Sequence, residues 1–294
     1  MEAQKPNSAP ATAIAKPAQP KKLSNVRGIR NAFIVILCCF FVAVLLFLFV
    51  FADASHFDVE GYTGSMVFAP EEHAKAAPTD LIGTIYKGGV IVPVLQTLLL
   101  VVIVLSVERA IALKSAKGKG SITKFVSNIK ACLAKNDIDG AQQLCKKQQG
   151  SVAAVVYAAL TRYKEMDANT VLSKEQKITT LQKEVEEAMA VEMPSLQQNL
   201  PIVATLTTLG TLVGLLGTVI GMIKSFQALS KSGAPDSTEL STGISEALIN
   251  TAFGIATGAF AVISYNYYTN KIDTLTYAID EIGFSIVQSF AATH

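Results

Sequence analysis

Four long uncharged runs divide the chain, and the stretches between them carry apolar residues at helical spacing. The runs are 32–52 ("AFIVILCCFFVAVLLFLFVFA"), 88–107 ("GGVIVPVLQTLLLVVIVLSV"), 201–223, and the residues after Glu246 as far as Asn270. A hydrocarbon core about 30 Å thick needs about 20 helical residues, so each run predicts a membrane-crossing helix. Between the second and third runs, Ile122, Phe125, Val126, Ile129 and Leu133 predict an amphipathic helix. Asp139-Gly140 predicts a break after it. Ile178, Leu181, Val185, Ala188 and Met189 predict a second helix, interleaved with Lys183, Glu184, Glu186 and Glu187 and running without a turn signal to Pro194. Beyond the fourth run, Ile272, Leu275, Ile279, Ile282 and Ile286 form an apolar stripe that predicts continuation of the last helix.

The pattern predicts an all-α polytopic membrane protein with four transmembrane helices and long helices extending out of the bilayer. The divisions are a disordered tail 1–31, rich in Pro, Ala and Lys, a first helix 32–52, an outward loop 53–87 and a second helix 88–107. A helical domain 108–200, a third helix 201–223, a loop 224–240, a fourth helix 241–270 and a C-terminal helix 271–294 follow. The first run could be a signal sequence, since "ADA" at 52–54 resembles a cleavage site. Its long polar lead and long apolar run favour a retained helix.

Composition agrees: 50% of residues are hydrophobic and 16% charged, where a soluble domain carries about 25% charged residues. The net charge of +2 gives no reason to expect a nucleic-acid partner. The placement of Lys and Arg says more. The tail holds Lys5, Lys16, Lys21, Lys22, Arg27 and Arg30, and 108–192 opens with Arg109, Lys114, Lys117 and Lys119. Residues 53–87 hold only Lys75 and Lys87 among six acids, and 224–240 only Lys224 and Lys231. The positive-inside rule then puts both termini and 108–200 in the cytoplasm.

Catalytic or metal chemistry finds no foothold. Cys38, Cys39, Cys132 and Cys145 form no C-x-x-C pair, and His56, His73 and His294 stand apart from one another. "GTLVGLLG" lacks the strand that a nucleotide fingerprint requires. No cofactor, metal or enzymatic activity is expected.

The chemistry lies inside the third and fourth runs. Thr207, Thr211, Gly214, Thr218, Gly221 and Ser225 recur at steps of four and three, beside a small-residue stripe of Gly210, Gly214, Gly217 and Gly221. Glu246 heads the fourth run, and Asn250, Gly254 and Gly258 continue a stripe from it, with Thr251 and Thr257 alongside. Small residues let membrane helices approach closely and hydroxyls can bond across them, so packing alone accounts for the seams. A charge in the bilayer interior costs about 2.5–3.5 kcal/mol on insertion scales. That cost favours a second reading, a hydrated ion path with Glu246, Thr218, Thr251, Thr211 and Asn250 along it. Glu246 could otherwise sit in interfacial water and merely end a helix. Thr218 and Glu246 are equally far from the loop centre near Ser232, which predicts that they share a depth in an antiparallel hairpin.

At these residues the sequence resembles the MotA/TolQ/ExbB proton-channel family. The matching text is "NLPIVATLTTLGTLVGLLGTVIGMIKSFQAL", then a polar loop, then "ISEALINTAFGIATGAFAVISYNYY". "SVERAIAL" at 106–113 is a weaker match to the family's Glu-Arg pair. The resemblance covers about 88–290. It implies a homopentamer around a dimer of a single-span partner, similar to ExbD or TolR, whose intramembrane Asp carries the proton. It also implies that Thr218, Thr251 and Glu246 line the ion path, and that a TonB- or TolA-like transducer receives the energy. Span 32–52 and its loop are additional to the three-span ExbB/TolQ plan. The short segment between spans two and three favours ExbB/TolQ over MotA. The rival from another class is a membrane scaffold that conducts nothing.

Overall fold

Each uncharged run is helical in the computed structural model, except that 88–90 form a turn and the second helix begins at Ile91; the structure describes residues 31–294 apart from 60, 71, 72, 74, 75 and 232–236. The tail up to residue 30 and the loop centre near Ser232 lie outside the described residues. Helix α1 (Ala32–Leu46) passes into a π-helical turn, Phe47–Phe51. Helix α2 (Leu81–Tyr86) is short, α3 is Ile91–Lys117, α4 is Ile122–Ala134, α5 is Ile138–Gln148 and α6 is Gly150–Ala168. Then come α7 (Lys174–Gln197), α8 (Leu200–Lys231) and α9 (Ser237–Thr293). Among the described residues there is no strand, only the isolated bridges Asp53 to Ser65 and Phe57 to Pro78. Four helical stretches are long and apolar enough to span a membrane: Ala32–Phe51, Ile91–Ala134, Lys174–Gln227 and Leu240–Thr293.

The membrane layer is α3, α8 and α9, with α1 packed on α3. Its core is Cys39, Val101, Val102, Leu105, Val203, Leu206 and Ala261. The outer faces stay apolar: Phe33 is 75% exposed, Leu212 61% and Ile263 66%. Water would penalise so large a continuous apolar surface, whereas lipid accommodates it.

A second layer lies beyond one membrane face. Helices α4 to α7 pack with the ends of α3 and α9 around Phe125, Ile129, Leu160, Tyr163, Leu181, Ile279, Ile282 and Phe290. The stripe from Ile272 to Ile286 is buried at each of its five positions, as is the whole α4 stripe. The break at Asp139-Gly140 is not where the sequence put it. The chain turns at Lys135–Asp137, where Asn136 has φ 55°, and Asp137 caps α5 by accepting the Gly140 amide at 2.8 Å. Asp139 lies in the first turn, where an acid complements the helix dipole. The true signal was the cap two residues earlier.

Helices α7 and α8 follow one another with an elbow between them. Pro194 stands in the last turn of α7, and Asn199 at φ 65° redirects the chain into α8. At the opposite face, the described residues of 52–87 fold over the ends of α1 and α3. Ala52, Ala54, Phe57 and Met66 form a small core. Tyr86 stacks on Phe47 at 5.1 Å and meets Phe57 edge-on at 5.5 Å. Asp80 caps α2 and pairs with His56 at 2.7 Å.

Candidate functional site

Helices α8 and α9 make the most extensive contact in the molecule, and their glycines set its closeness. A methyl group at Gly214 would stand 2.9 Å from both Gly254 Cα and Asn250 O. One at Gly254 would stand 2.8 Å from Gly214 Cα and from Gly210 O. The two backbones therefore touch directly, which only small residues permit. The other stripe glycines follow suit: Gly210 lies against Thr257, Gly217 against Asn250, Gly221 against Gly243 and Ala247, and Gly258 against Thr211 and Thr207.

This register corrects the depth argument. With Gly217 beside Asn250 and Gly221 beside Ala247, Thr218 lies about one helical turn deeper than Glu246. The paired positions centre about two residues beyond Ser232, which moves Thr218 from the level of Glu246 to that of Asn250.

Glu246 is 6% exposed. Its Oε1 accepts a hydrogen bond from Lys224 Nζ at 2.7 Å. Its carboxylate also lies against Gly89, where φ is 75° and any side chain would collide with it. Gly89 sits just before α3, so the carboxylate faces the positive end of that helix dipole. Two cationic fields thus meet one buried acid. Asn250, one turn further in, is fully buried; its Nδ2 donates to Gly88 O at 3.0 Å, while its Oδ1 is buried with no hydrogen-bond partner. Gln96 Oε1 on α3 is in the same condition. An unmatched buried acceptor is costly and marks a place where a further donor belongs.

The threonines lie differently. Thr218 Oγ1 donates to Leu215 O at 2.6 Å, Thr251 Oγ1 to Ala247 O at 3.3 Å and Thr211 Oγ1 to Thr207 O at 3.4 Å. Each closes on its own helix, as threonine does where no other partner is offered. Thr211 is exposed, and Thr218 and Thr251 are partly so. Within one chain, Glu246 and Asn250 are brought together with α3, and the three threonines remain at the edge of the seam.

Sequence reasoning missed Lys224 as the partner of Glu246, having counted it only as a loop charge. Its place three residues after Gly221, on the seam, was the available signal. It also underweighted Glu108 and Arg109. Arg109 is fully buried, pairs with Glu108 at 2.5 and 2.6 Å, and donates to Ser195 O at 3.3 Å and Leu196 O at 3.2 Å. It thereby satisfies the last carbonyls of α7 and fixes the elbow. Among the described residues no cluster of His, Cys, Asp and Glu could hold a metal.

Residues 148–281 match the model of the MotA/TolQ/ExbB proton channel family. The Tol-Pal system protein TolQ of Haemophilus influenzae is 34% identical over 88 residues, which are 30% of this chain and 39% of that protein. A putative biopolymer transport protein ExbB homolog of Methanothermobacter thermautotrophicus is 35% identical over 94 residues, 31% of this chain and 33% of that one. The biopolymer transport protein ExbB of Helicobacter pylori is 37% identical over 81 residues, 28% and 56%. The chain thus spans between a third and little more than half the length of these relatives.

Proposed function

We propose that the chain is a TolQ/ExbB-like member of the MotA/TolQ/ExbB proton channel family, whose model its residues 148–281 match, and a subunit of an ion-driven motor in a bacterial inner membrane. Proton flow down the membrane potential moves a single-span partner, similar to ExbD or TolR, relative to a ring of these chains. The ring is a homopentamer around a partner dimer, and the partner supplies the intramembrane Asp. A TonB- or TolA-like transducer carries the movement to outer-membrane transport or envelope maintenance. Both termini and the helical layer of α4 to α7 face the cytoplasm.

One observation carries this reading: a buried carboxylate between spanning helices, beside Lys224, with the unmatched Oδ1 of Asn250 one turn inside it. A proton path needs few charges and polar atoms that can stand in for water. Glu246 and Asn250 supply the entry. Thr211, Thr218 and Thr251, at the rim of the seam, supply hydroxyls toward the partner helix, releasing their own-helix bonds to do so.

The test is potential-driven proton flux in liposomes holding the chain with its single-span partner. Glu246→Gln is expected to keep the mass of the assembly and lower flux at least about a hundredfold, the low end of an acid–base role. Unchanged flux in that variant would remove Glu246 from the path. The close glycine seam favours a second reading, a scaffold whose polar stripes serve packing; an intact wild-type assembly without flux would establish it.

A further inference from the structure

A cleft of about 380 Å³ opens where α3 and α9 leave the membrane layer, away from the Glu246 seam. Its walls carry Lys114 and Lys117 of α3 and Tyr267, Tyr268 and Lys271 of α9. Its floor is apolar, with Leu113, Ile122 and Leu275. The geometry points to a binding site for an anionic phospholipid of the leaflet on this face, with the phosphate among the lysines and the glycerol end over the apolar floor.

Depth is the first argument. Lys271 is the first charge on α9 after the uncharged run that follows Glu246. On α3 the first charges after the apolar run, Glu108 and Arg109, are buried against each other, so Lys114 is the first exposed one. The first exposed cations of both helices therefore meet at one cleft, at headgroup level. Two adjacent tyrosines there match the aromatic belt of a membrane interface.

Charge is the second argument. Among the described residues none of Lys114, Lys117 and Lys271 is in an ion pair, although Lys130, Lys164, Lys183 and Lys224 are. Lys271 Nζ instead sits 5.4 Å from the centre of the Tyr267 ring. Three cations without acids, on flexible stems over an apolar floor, fit a phosphodiester with acyl chains better than a soluble anion. The chain's own first thirty residues have the wrong sign to fill the cleft, with Lys5, Lys16, Lys21, Lys22, Arg27 and Arg30 against Glu2.

The test is native mass spectrometry of the full-length protein released from phosphatidylcholine nanodiscs doped with phosphatidylglycerol. The wild type is expected to retain phosphatidylglycerol preferentially, and excess glycerol 3-phosphate to leave that retention intact. Each of Lys114→Gln, Lys117→Gln and Lys271→Gln is expected to lower retention about fivefold, the worth of one cation at an anionic surface. The triple Lys→Arg variant should retain the lipid, and the triple Lys124→Gln/Lys135→Gln/Lys174→Gln, equal in charge but elsewhere, should too. Equal loss in that control would reduce the effect to net surface charge and overturn the site. Displacement by glycerol 3-phosphate, or no preference over phosphatidylcholine, would overturn it as well. So would cleft variants that change subunit number with lipid retention unaltered, because a neighbouring copy would then cover the cleft.

Discussion

Arg109→Met should be among the most damaging single substitutions in the chain. The guanidinium is fully buried and makes two bonds to Glu108 and two to the carbonyls that end α7. Methionine fills much of the space and replaces none of the bonds. Glu108, 9% exposed, keeps the Asn199 amide at 3.5 Å and loses its cation. Breaking a buried pair from one side costs about 3–5 kcal/mol, mostly for the charge left behind. Each carbonyl that loses its donor adds up to about 1–3 kcal/mol, less wherever water reaches the elbow. The lower bound, about 3 kcal/mol, is more than a hundredfold in the folding equilibrium at 1.4 kcal/mol per decade. Chemical unfolding in detergent micelles would measure it, with hydrogen exchange at Gln198 and Asn199 reporting whether the elbow opens first. Glu108→Gln/Arg109→Met should recover more than half of the loss, because no charge is then stranded. A single variant within about 0.5 kcal/mol of wild type, the range of an ordinary surface change, would refute the reasoning. So would a double variant less stable than the single.

Gly214→Ala brings a methyl 2.9 Å from Gly254 Cα, where ordinary contact begins at 3.4 Å, so the helices must part by about half an ångström; overpacking of this kind costs about 1–3 kcal/mol. A thermal unfolding midpoint at or above wild type would contradict it. Asp80 is held below the usual carboxylate range first by the Gly83 amide and then by the His56 ring. A depressed acid stabilises the fold above its unfolded value of about 3.9 and loses that contribution as pH falls through the folded value, so protection of the Gly83 amide, relative to its intrinsic exchange at each pH, should fall in acid. pH-independent protection at Gly83 below that range would refute the cap. Burial pushes the Cys145 thiol up to about 12, so iodoacetamide at pH 8 should label the partly exposed Cys132 well before Cys145. Equal labelling would show that α5 opens.

Helical periodicity made most of the fold legible, because in both layers burial follows one face of each helix. The α4 stripe and the stripe from Ile272 to Ile286 were readable for that reason. The turn at Asn136 was not, since Asp139-Gly140 is the stronger turn dipeptide in isolation and only the cap at Asp137 decides between them. The glycine seam was legible as spacing, but its register was not. Equal arms about Ser232 put the hairpin centre about two residues too early, and nothing in the polar loop marks the centre in sequence. Pairings that join distant segments were the hardest to see: Glu246 with Lys224 and Gly89, and Arg109 with the end of α7, each depend on how helices cross.

Helix α9 is one piece from Ser237 to Thr293, 57 residues without a break. At 1.5 Å per residue it is about 85 Å long. It carries Glu246 near one end and, near the other, Phe290, packed edge-on against Tyr163 at 4.9 Å. A rod of that length turns angle into distance: tilting it by about 1° displaces its far end by about 1.5 Å, the rise of one residue. Helix α8 cannot do the same, because the elbow at Asn199 separates it from α7. Of the two helices in the seam, only α9 mechanically links the buried acid to the aromatic packing in the opposite layer.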